Sequence, residues 1–153
     1  MHMLDDLDRR LLRLLQDDAL LGSAELALRA GASAASCWRR LERTQREGII
    51  LGYRVEIDPK ALGFEVEVSL RVTLDKTQAN AFDVFIAEAR KIRQVNEIQT
   101  FLGRVDVRLN VLARDMAHYQ EIYRRQILAL PHIADIEALM LVANVKNSES
   151  LPL

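Results

Sequence analysis

The sequence has few of the features that mark secreted, membrane-bound or disulfide-stabilised proteins. Its 153 residues include a single cysteine, Cys37, which excludes an intramolecular disulfide and fits a reducing compartment. Its apolar runs are far shorter than the roughly 20 residues needed to cross a bilayer. The acidic N-terminus also lacks the apolar stretch of a signal peptide. We therefore expect a cytoplasmic protein that does not contact membranes.

Residue sets with catalytic or metal-binding spacing are also missing. The three histidines lie on different predicted elements, and the six glycines form no loop that could cradle a phosphate. No serine has an evident base partner, and neither does the cysteine. The sequence therefore predicts no catalytic residues, no metal and no other cofactor.

What the chain does have is a local concentration of positive charge. The net charge of the whole chain is −1, which excludes a general polycation. Residues 36–54, however, hold five arginines against two glutamates, a local net charge of +3. The five are Arg39, Arg40, Arg43, Arg46 and Arg54. Positive charge gathered in one segment indicates a surface that is presented to a polyanion.

Three helices are predicted in the first third of the chain. Leucines at helical spacing predict the first over residues 4–17. Ser23 is expected to cap a second helix that ends before Gly31, and Ser33 a third that runs to about Glu47. Two short helices joined by a turn that contains glycine form a helix-turn-helix unit.

From residue 49 onwards the pattern favours strands and then alternates between strand and helix. Residues 49–51 and 53–57 are rich in β-formers, and strict alternation predicts strands over 66–74 and 105–111. The complete series is strand 66–74, helix 78–92, strand 96–102, strand 105–111, a helix capped by Asp115 and ended by Pro131, and strand 133–145. This is the βαββαβ order of a ferredoxin-like domain, so the fold class is α+β.

One face of this sheet should remain uncovered, because both helices are expected on the apolar face. The polar face would carry Glu67, Ser69, Arg71, Asp106, Arg108 and Asn110. Such a face can be simply solvated, but it is also a natural dimerisation surface. We expect dimerisation through it.

Five segments in order resemble the Lrp/AsnC family of transcription regulators. They are LDDLDRRLLRLLQDDA, ELALRAGASAASCWRRLERTQREGIILGY, DPKALG, GRVD and LPHIADIEALMLVANVK. The resemblance implies a winged helix-turn-helix domain (1–57), a hinge (58–65), a ferredoxin-like effector domain (66–146) and a loose tail (147–153). It further implies double-stranded DNA and a small-molecule effector of the amino-acid class as partners of homodimers that assemble to an octamer.

Helical geometry divides the third helix into a core face and an opposite face. Cys37, Leu41 and Thr44 fall together and are expected to face the core. Since the second helix of a helix-turn-helix lies in the major groove, its N-terminal part nearest the bases, we assign roles to the opposite side. Ser36, Arg39 and Arg40, the last on the border of the two faces, are expected to reach bases, and Arg43, Arg46 and Arg54 to contact phosphates. The alternative is that the arginines are solvated and pair with Glu42 and Glu47.

Trp38 borders the core face of the same helix, where the family usually has leucine. We expect it to pack against the first helix; contact with a DNA sugar or a thymine methyl is the alternative. Cys37 is expected to be a small buried residue rather than a redox sensor.

The resemblance places the effector between ligand domains of neighbouring dimers, near the turn that contains Gly103, Arg104, Val105 and Asp106. Asp106 could accept hydrogen bonds from an α-ammonium group, and backbone N–H groups around Gly103 could hold a carboxylate. The alternative for Asp106 is a pair with Arg104 or Arg108. Arg108 indicates either a more polar ligand than leucine or a salt bridge to Glu67.

Two other functions stay open at this point. Some proteins of the same architecture are sirohaem decarboxylases that use histidines of the ligand domain, a role for which His118 and His132 are the candidates. The chain could also be an effector sensor whose helix-turn-helix no longer reads DNA.

Overall fold

The computed structural model describes residues 3–146 and 150–153 and divides into two compact units. Unit 1 comprises residues 1–56 and 146–153, and unit 2 comprises residues 57–145. The DPKALG segment forms a 3₁₀ turn over Lys60–Leu62, where the Lys60 N–H donates to the Asp58 carboxylate at 2.9 Å.

Three helices build unit 1: α1 (Asp6–Asp17), α2 (Ser23–Ala30) and α3 (Ala34–Arg46). Asp5 caps α1 in a reciprocal pair: Asp8 N–H donates to Asp5 Oδ1 at 2.9 Å, and Asp5 N–H donates to Asp8 Oδ2 at 3.1 Å. Two backbone donors that the first turn leaves without a partner are thereby satisfied. Gly31 ends α2 in the left-handed conformation, at φ 68°.

The prediction for the start of α3 is confirmed, and the one for α2 is wrong by one residue. The Ser33 hydroxyl accepts from Ser36 N–H at 3.2 Å. Ser23, in contrast, already lies inside α2. Gly22 takes the cap position instead, and no side chain caps this helix.

The core of unit 1 holds the three helices together through a small set of buried side chains. Leu11 of α1, Leu26 and Ala30 of α2 and Cys37 of α3 are at most 3% exposed. Full burial of a leucine stabilises a fold by about 1.5–3 kcal/mol. This packing fixes which face of α3 points inward.

The β-rich segment 49–57 forms no strand in the single chain. A strand forms when its backbone groups bond at regular spacing to a neighbouring strand. Within the described residues, segment 49–57 has no such neighbour. Leu51 and Val55 are 94% and 84% exposed.

Unit 2 is a four-stranded antiparallel sheet with helices on one face. Its elements are β1 (Val66–Leu74), α4 (Ala81–Ala89), β2 (Val95–Thr100), β3 (Val107–Ala113), α5 (Met116–Ile122, continued by a π-helical turn over Tyr123–Ile127) and β4 (Ile133–Met140). The strand order is β2-β3-β1-β4. This confirms the α+β class and the ferredoxin-like βαββαβ order.

The apolar core of unit 2 lies between the sheet and its two helices. Leu70 of β1 and Leu109 of β3 face each other in the register and are fully buried, together with Phe85 of α4 and Ile122 of α5. Asp115 caps α5 as predicted and accepts from His118 N–H at 2.7 Å. The strict alternation in β1 and β3 is therefore the pattern of a sheet with one covered face.

Asp106 does not belong to the polar face, contrary to prediction. Strand β3 begins at Val107, and the Asp106 carboxylate turns inward to accept from Leu74 N–H at 2.9 Å. Its backbone N–H donates to Val72 O at 3.0 Å. The carboxylate is drawn inward because Leu74, at the end of β1, presents a backbone donor there.

Residues 147–149 of the segment predicted as a loose tail lie outside the described residues. Residues 150–153 belong to unit 1, where Leu151 N–H donates to Gln16 Oε1 at 2.5 Å and Gln16 Nε2 donates back to Leu151 O at 3.3 Å. None of the helices in the described ranges has the length and apolar character required to span a membrane.

Candidate nucleic-acid interface and ligand-binding region

The inward face of α3 is the one that helical geometry predicts. Cys37 and Thr44 are 3% and 2% exposed, and Leu41 packs against the same core. The Thr44 hydroxyl donates to Leu41 O at 2.9 Å, so its polar atom is satisfied within the helix. The orientation of α3 is therefore set by these three side chains.

Arg40 and Arg43 are held by α1 through the buried carboxylate of Asp8. Arg40 Nη1 donates to Asp8 Oδ1 at 2.9 Å, and Arg43 Nη2 donates to Asp8 Oδ2 at 2.7 Å. Arg40 Nη1 also lies 2.6 Å from Asp5 Oδ2. The Asp8 side chain has no exposed surface, whereas the two arginine side chains are 26% and 24% exposed. We call this group the Asp8 clamp.

The clamp also changes the electrostatics at the start of α1. The backbone N–H of Asp8, together with the Arg40 guanidinium, lowers the pKa of Asp5 to about 2. The same carboxylates, Asp5 first and then Asp8, raise the pKa of Arg40. Neither Glu42 nor Glu47, the partners that sequence reasoning weighed, takes part in these pairs.

The exposed face of α3 differs from the predicted one at its borders, because Ser36 and Arg43 are half-buried while Trp38 is exposed. The exposed residues are Ala34, Ala35, Trp38, Arg39, Glu42, Gln45 and Arg46. Arg39 and Arg46 lie on this face as expected. Trp38 lies there too and is 66% exposed, so the prediction that it packs against the first helix is wrong.

The two remaining predicted DNA contacts lie at the borders of this region. Ser36 is half-buried in the first turn of α3, where its N–H is engaged by the Ser33 hydroxyl. Arg54 is exposed and lies in the irregular segment after α3. The structure thus brings Ser36, Arg39 and Arg46 together on one helix, while it commits Arg40 and Arg43 to α1.

In unit 2, Asp106 is the predicted effector residue whose side chain has the most polar partners. Besides Leu74 N–H, its carboxylate binds the Lys76 ammonium, with 2.9 Å between Lys76 Nζ and Asp106 Oδ1. The Leu74 N–H first and then Lys76 hold the pKa of Asp106 below its usual value. Neither Arg104 nor Arg108, the partners proposed in the alternative, contacts this carboxylate.

The other predicted effector residues lie around the same turn. The Arg104 carbonyl accepts from the Thr73 hydroxyl at 3.1 Å, and Val105 is half-buried. A side chain added at Gly103 would meet no atom within 4 Å, so the turn is open at this residue. Arg108 lies apart from the turn, on β3.

Arg108 belongs to a set of paired groups on the uncovered face of the sheet. Its Nη2 lies 2.7 Å from Glu97 Oε2, so its partner within the chain is Glu97 rather than Glu67. Glu67 instead accepts from Asn110 Nδ2 at 2.9 Å. The face is thus polar but largely paired within itself.

Three charged groups of these sites were missed by sequence reasoning: Asp8, Lys76 and Glu97. The spacing Asp5–Asp8 is that of a capping box and could have indicated the reciprocal cap. No local signal indicates that Asp8 would also bind two arginines more than 30 positions away.

Comparison with known proteins decides the family. A sequence model of the Lrp/AsnC ligand binding domain matches residues 67–151, and one of the AsnC-type helix-turn-helix domain matches residues 4–43. The leucine-responsive regulatory protein of Salmonella typhimurium is 30% identical over 148 residues, which cover 97% of this chain and 90% of that protein. The chain belongs to the Lrp/AsnC family.

Solved structures agree with this assignment over nearly the whole chain. A transcriptional regulator from Neisseria meningitidis, in complex with L-methionine, superposes with a TM-score of 0.91 at 26% identity and covers 98% of this chain and 97% of its own. Escherichia coli AsnC superposes with a TM-score of 0.86 at 27% identity, covering 95% and 97%. These relatives are regulators of the Lrp/AsnC type, which favours a regulator over a decarboxylase-like enzyme.

The two histidines considered for the enzyme alternative lie on α5 and in a turn, outside the strands of the sheet. His118 Nδ1 accepts from Arg114 N–H at 3.2 Å, and His132 lies in a turn before β4 at φ 62°. Within the described part of the chain, no three His, Cys, Asp or Glu side chains are close enough to hold a metal ion.

Proposed function

We propose that this Lrp/AsnC protein is a sequence-specific transcription regulator that binds double-stranded DNA through α3 and responds to an amino acid. The observation that carries the proposal is the exposed face of α3, which presents Arg39 and Arg46 outward from a fixed helix-turn-helix. Such a face suits the major groove, which admits an α-helix and carries the base-specific donor and acceptor pattern. A protein that acts on DNA in this way works in the bacterial or archaeal cytoplasm.

Individual roles follow from placement on this face. Arg39, in the second turn of α3, is proposed to read a base, because its fork can engage guanine O6 and N7 together. Arg46, at the end of the helix, and Arg54 beyond it are proposed to contact phosphates, and Ser36 lies at the border of the base-reading part. Arg40 and Arg43 are proposed to position α3 through the Asp8 clamp.

The effector is proposed to be an amino acid bound near the 103–106 turn. The Neisseria relative holds L-methionine, and the Asp106 carboxylate already binds an ammonium group, that of Lys76. The Lys76 side chain is 70% exposed and can leave this position for water. An α-ammonium group could then replace the Lys76 ammonium on Asp106 Oδ1.

We further propose that the protein forms dimers through the uncovered face of the sheet and that four dimers assemble to an octamer. The support is that this face is polar and that two of its side chains already have partners within the chain. Arg108 pairs with Glu97, and Asn110 donates to Glu67. Light scattering tests the assembly, because the chain has a mass of 17.4 kDa and a species of that mass would contradict it.

The test of the regulator itself is a gel-shift assay on the DNA upstream of the protein's own gene, over a salt series, with and without the twenty amino acids. Binding that weakens steeply with salt and shifts with one amino acid is the expected result, because phosphate contacts release counterions. Salt-dependent binding without an amino-acid response would refute the effector assignment alone. Failure to bind at any salt concentration would refute the DNA-binding function.

A further inference from the structure

Trp38 is the single tryptophan of the chain, and it lies on the surface of the helix assigned to DNA. Its side chain is 66% exposed, although tryptophan is among the residues with the largest apolar area to bury. It lies in the second turn of α3, directly before Arg39.

The exposure of Trp38 is fixed by the packing of α3. Turning the helix far enough to bury the indole would bring Cys37 and Thr44 out of the core and break both bonds to Asp8, at 2.9 and 2.7 Å. The core on one side and the Asp8 clamp on the other therefore hold Trp38 outward.

The surroundings of Trp38 leave room for a duplex to approach. Ala34 and Ala35, one turn earlier in the helix, are small and exposed. Arg39 and Arg46 outnumber Glu42 on the same face, so the face keeps a net positive charge, which is complementary to phosphates. The N-terminal part of a recognition helix is the part that comes nearest to the base edges.

We infer that Trp38 reads a thymine in the major groove by contact between its indole ring and the C5-methyl group; this inference rests on the DNA-binding function proposed above. The indole has one N–H donor and no acceptor, so it cannot read most of the donor and acceptor pattern of the groove. Among the four bases, thymine alone presents a methyl group there. Trp38 is thus a specificity-determining residue next to the base that Arg39 reads.

The test combines Trp38→Ala with removal of the methyl group from the DNA. In the duplex that the wild-type protein binds, thymines are replaced one at a time by uracil, which lacks the C5-methyl group. Trp38→Ala should weaken binding about ten-fold on the unmodified duplex. At one thymine, replacement by uracil should weaken the wild type similarly and leave Trp38→Ala unaffected. Phe82→Ala, which truncates an aromatic side chain of 42% exposure in unit 2, is the matched control and should bind as wild type.

Fluorescence of the single tryptophan gives an independent measurement. DNA should change the Trp38 emission and protect it from a water-soluble quencher, because the indole enters the groove. Trp38→Phe, which keeps an aromatic ring, should retain more affinity than Trp38→Ala, and circular dichroism checks that both variants are folded.

The outcomes separate this inference from the function on which it rests. If the wild type binds DNA while Trp38→Ala binds equally well and the emission stays unchanged, the inference is wrong and the regulator stands. If Trp38→Ala binds more weakly than the wild type by the same factor on the unmodified duplex and on every uracil duplex, the indole and the methyl group act independently and the inference is also wrong. A change of oligomer size in Trp38→Ala would assign the indole to self-association instead. If the wild type does not bind DNA at all, the proposed function itself fails.

Discussion

The Asp8 clamp predicts an asymmetric response to removal of its members. Asp8 has no exposed surface, whereas the side chains of Arg40 and Arg43 keep about a quarter of theirs. Replacing both arginines by methionine would leave a buried carboxylate whose main partners are gone, for which we expect a loss of about 3–5 kcal/mol. Replacing Asp8 by Asn should cost less, about 1–3 kcal/mol, because the arginines can turn to water.

A third variant tests the physical reason for this asymmetry. The cost arises from an unpaired buried charge, so Asp8→Leu combined with both methionine substitutions should recover most of the stability that the double variant loses. Stability is measured on the full chain by urea unfolding, and hydrogen exchange of the α1 and α3 amides localises the effect to unit 1. Arg29→Met is the control, because the Arg29–Glu25 pair is half-exposed and should contribute less than about 1 kcal/mol.

Two results would refute this account. If the double arginine variant is no less stable than Asp8→Asn, the carboxylate does not depend on its partners. If the triple variant is less stable than the double variant, the apolar replacement does not fit, and burial of charge is not the dominant cost.

The remaining predictions concern the other sites. Arg39→Ala should cost roughly 1–3 kcal/mol of DNA-binding free energy and loosen base preference. Arg46→Ala should weaken binding by about the same factor on every operator sequence. Gel shifts on operator variants separate the two. Asp5, with its pKa lowered from 3.8 to about 2, contributes stability that is complete above about pH 4 and lost as the pH falls towards 2. With Asp5→Asn, the unfolding midpoint should depend less on pH within this window. Asp106→Ala leaves the buried Leu74 N–H without its acceptor and should cost about 1–3 kcal/mol, while Asp106→Asn, which keeps an acceptor, should cost less in urea unfolding.

The elements that the sequence predicts well are those with local signals. Strand β1 has the predicted bounds because five apolar residues alternate without a break. Helix α3 begins at its predicted Ser33 cap, and α2 ends at Gly31 as predicted although Gly22, not Ser23, precedes it. Strand β3 was predicted two residues early because Val105 continues the alternation. The structure ends the pattern there, since the Asp106 carboxylate is needed at Leu74.

The candidate site could be predicted only in part, for a related reason. Helical periodicity identified Cys37 and Thr44 as the buried face of α3, but it does not decide which border residues find a partner on another helix. Arg40 and Arg43 found Asp8, which is 32 and 35 residues away along the chain. Trp38, on the other border, found none and stayed exposed. A contact between residues this far apart depends on tertiary packing, and periodicity holds no information about it.

The Asp8 clamp bears directly on how strongly DNA binding should depend on salt. The logarithm of the binding constant falls with the logarithm of salt concentration by about 0.9 for each phosphate neutralised. With Arg39 on a base, four arginines of residues 36–54 are left for phosphates, so a dimer that used all of them would neutralise about eight phosphates and show a slope of about −7. With Arg40 and Arg43 held by Asp8, the phosphate contacts of a dimer fall to about four and the slope should be about −4. Asp8→Asn releases both arginines and should steepen the slope towards about −7. A wild-type slope near −7 that Asp8→Asn leaves unchanged would show that these arginines contact DNA despite the clamp.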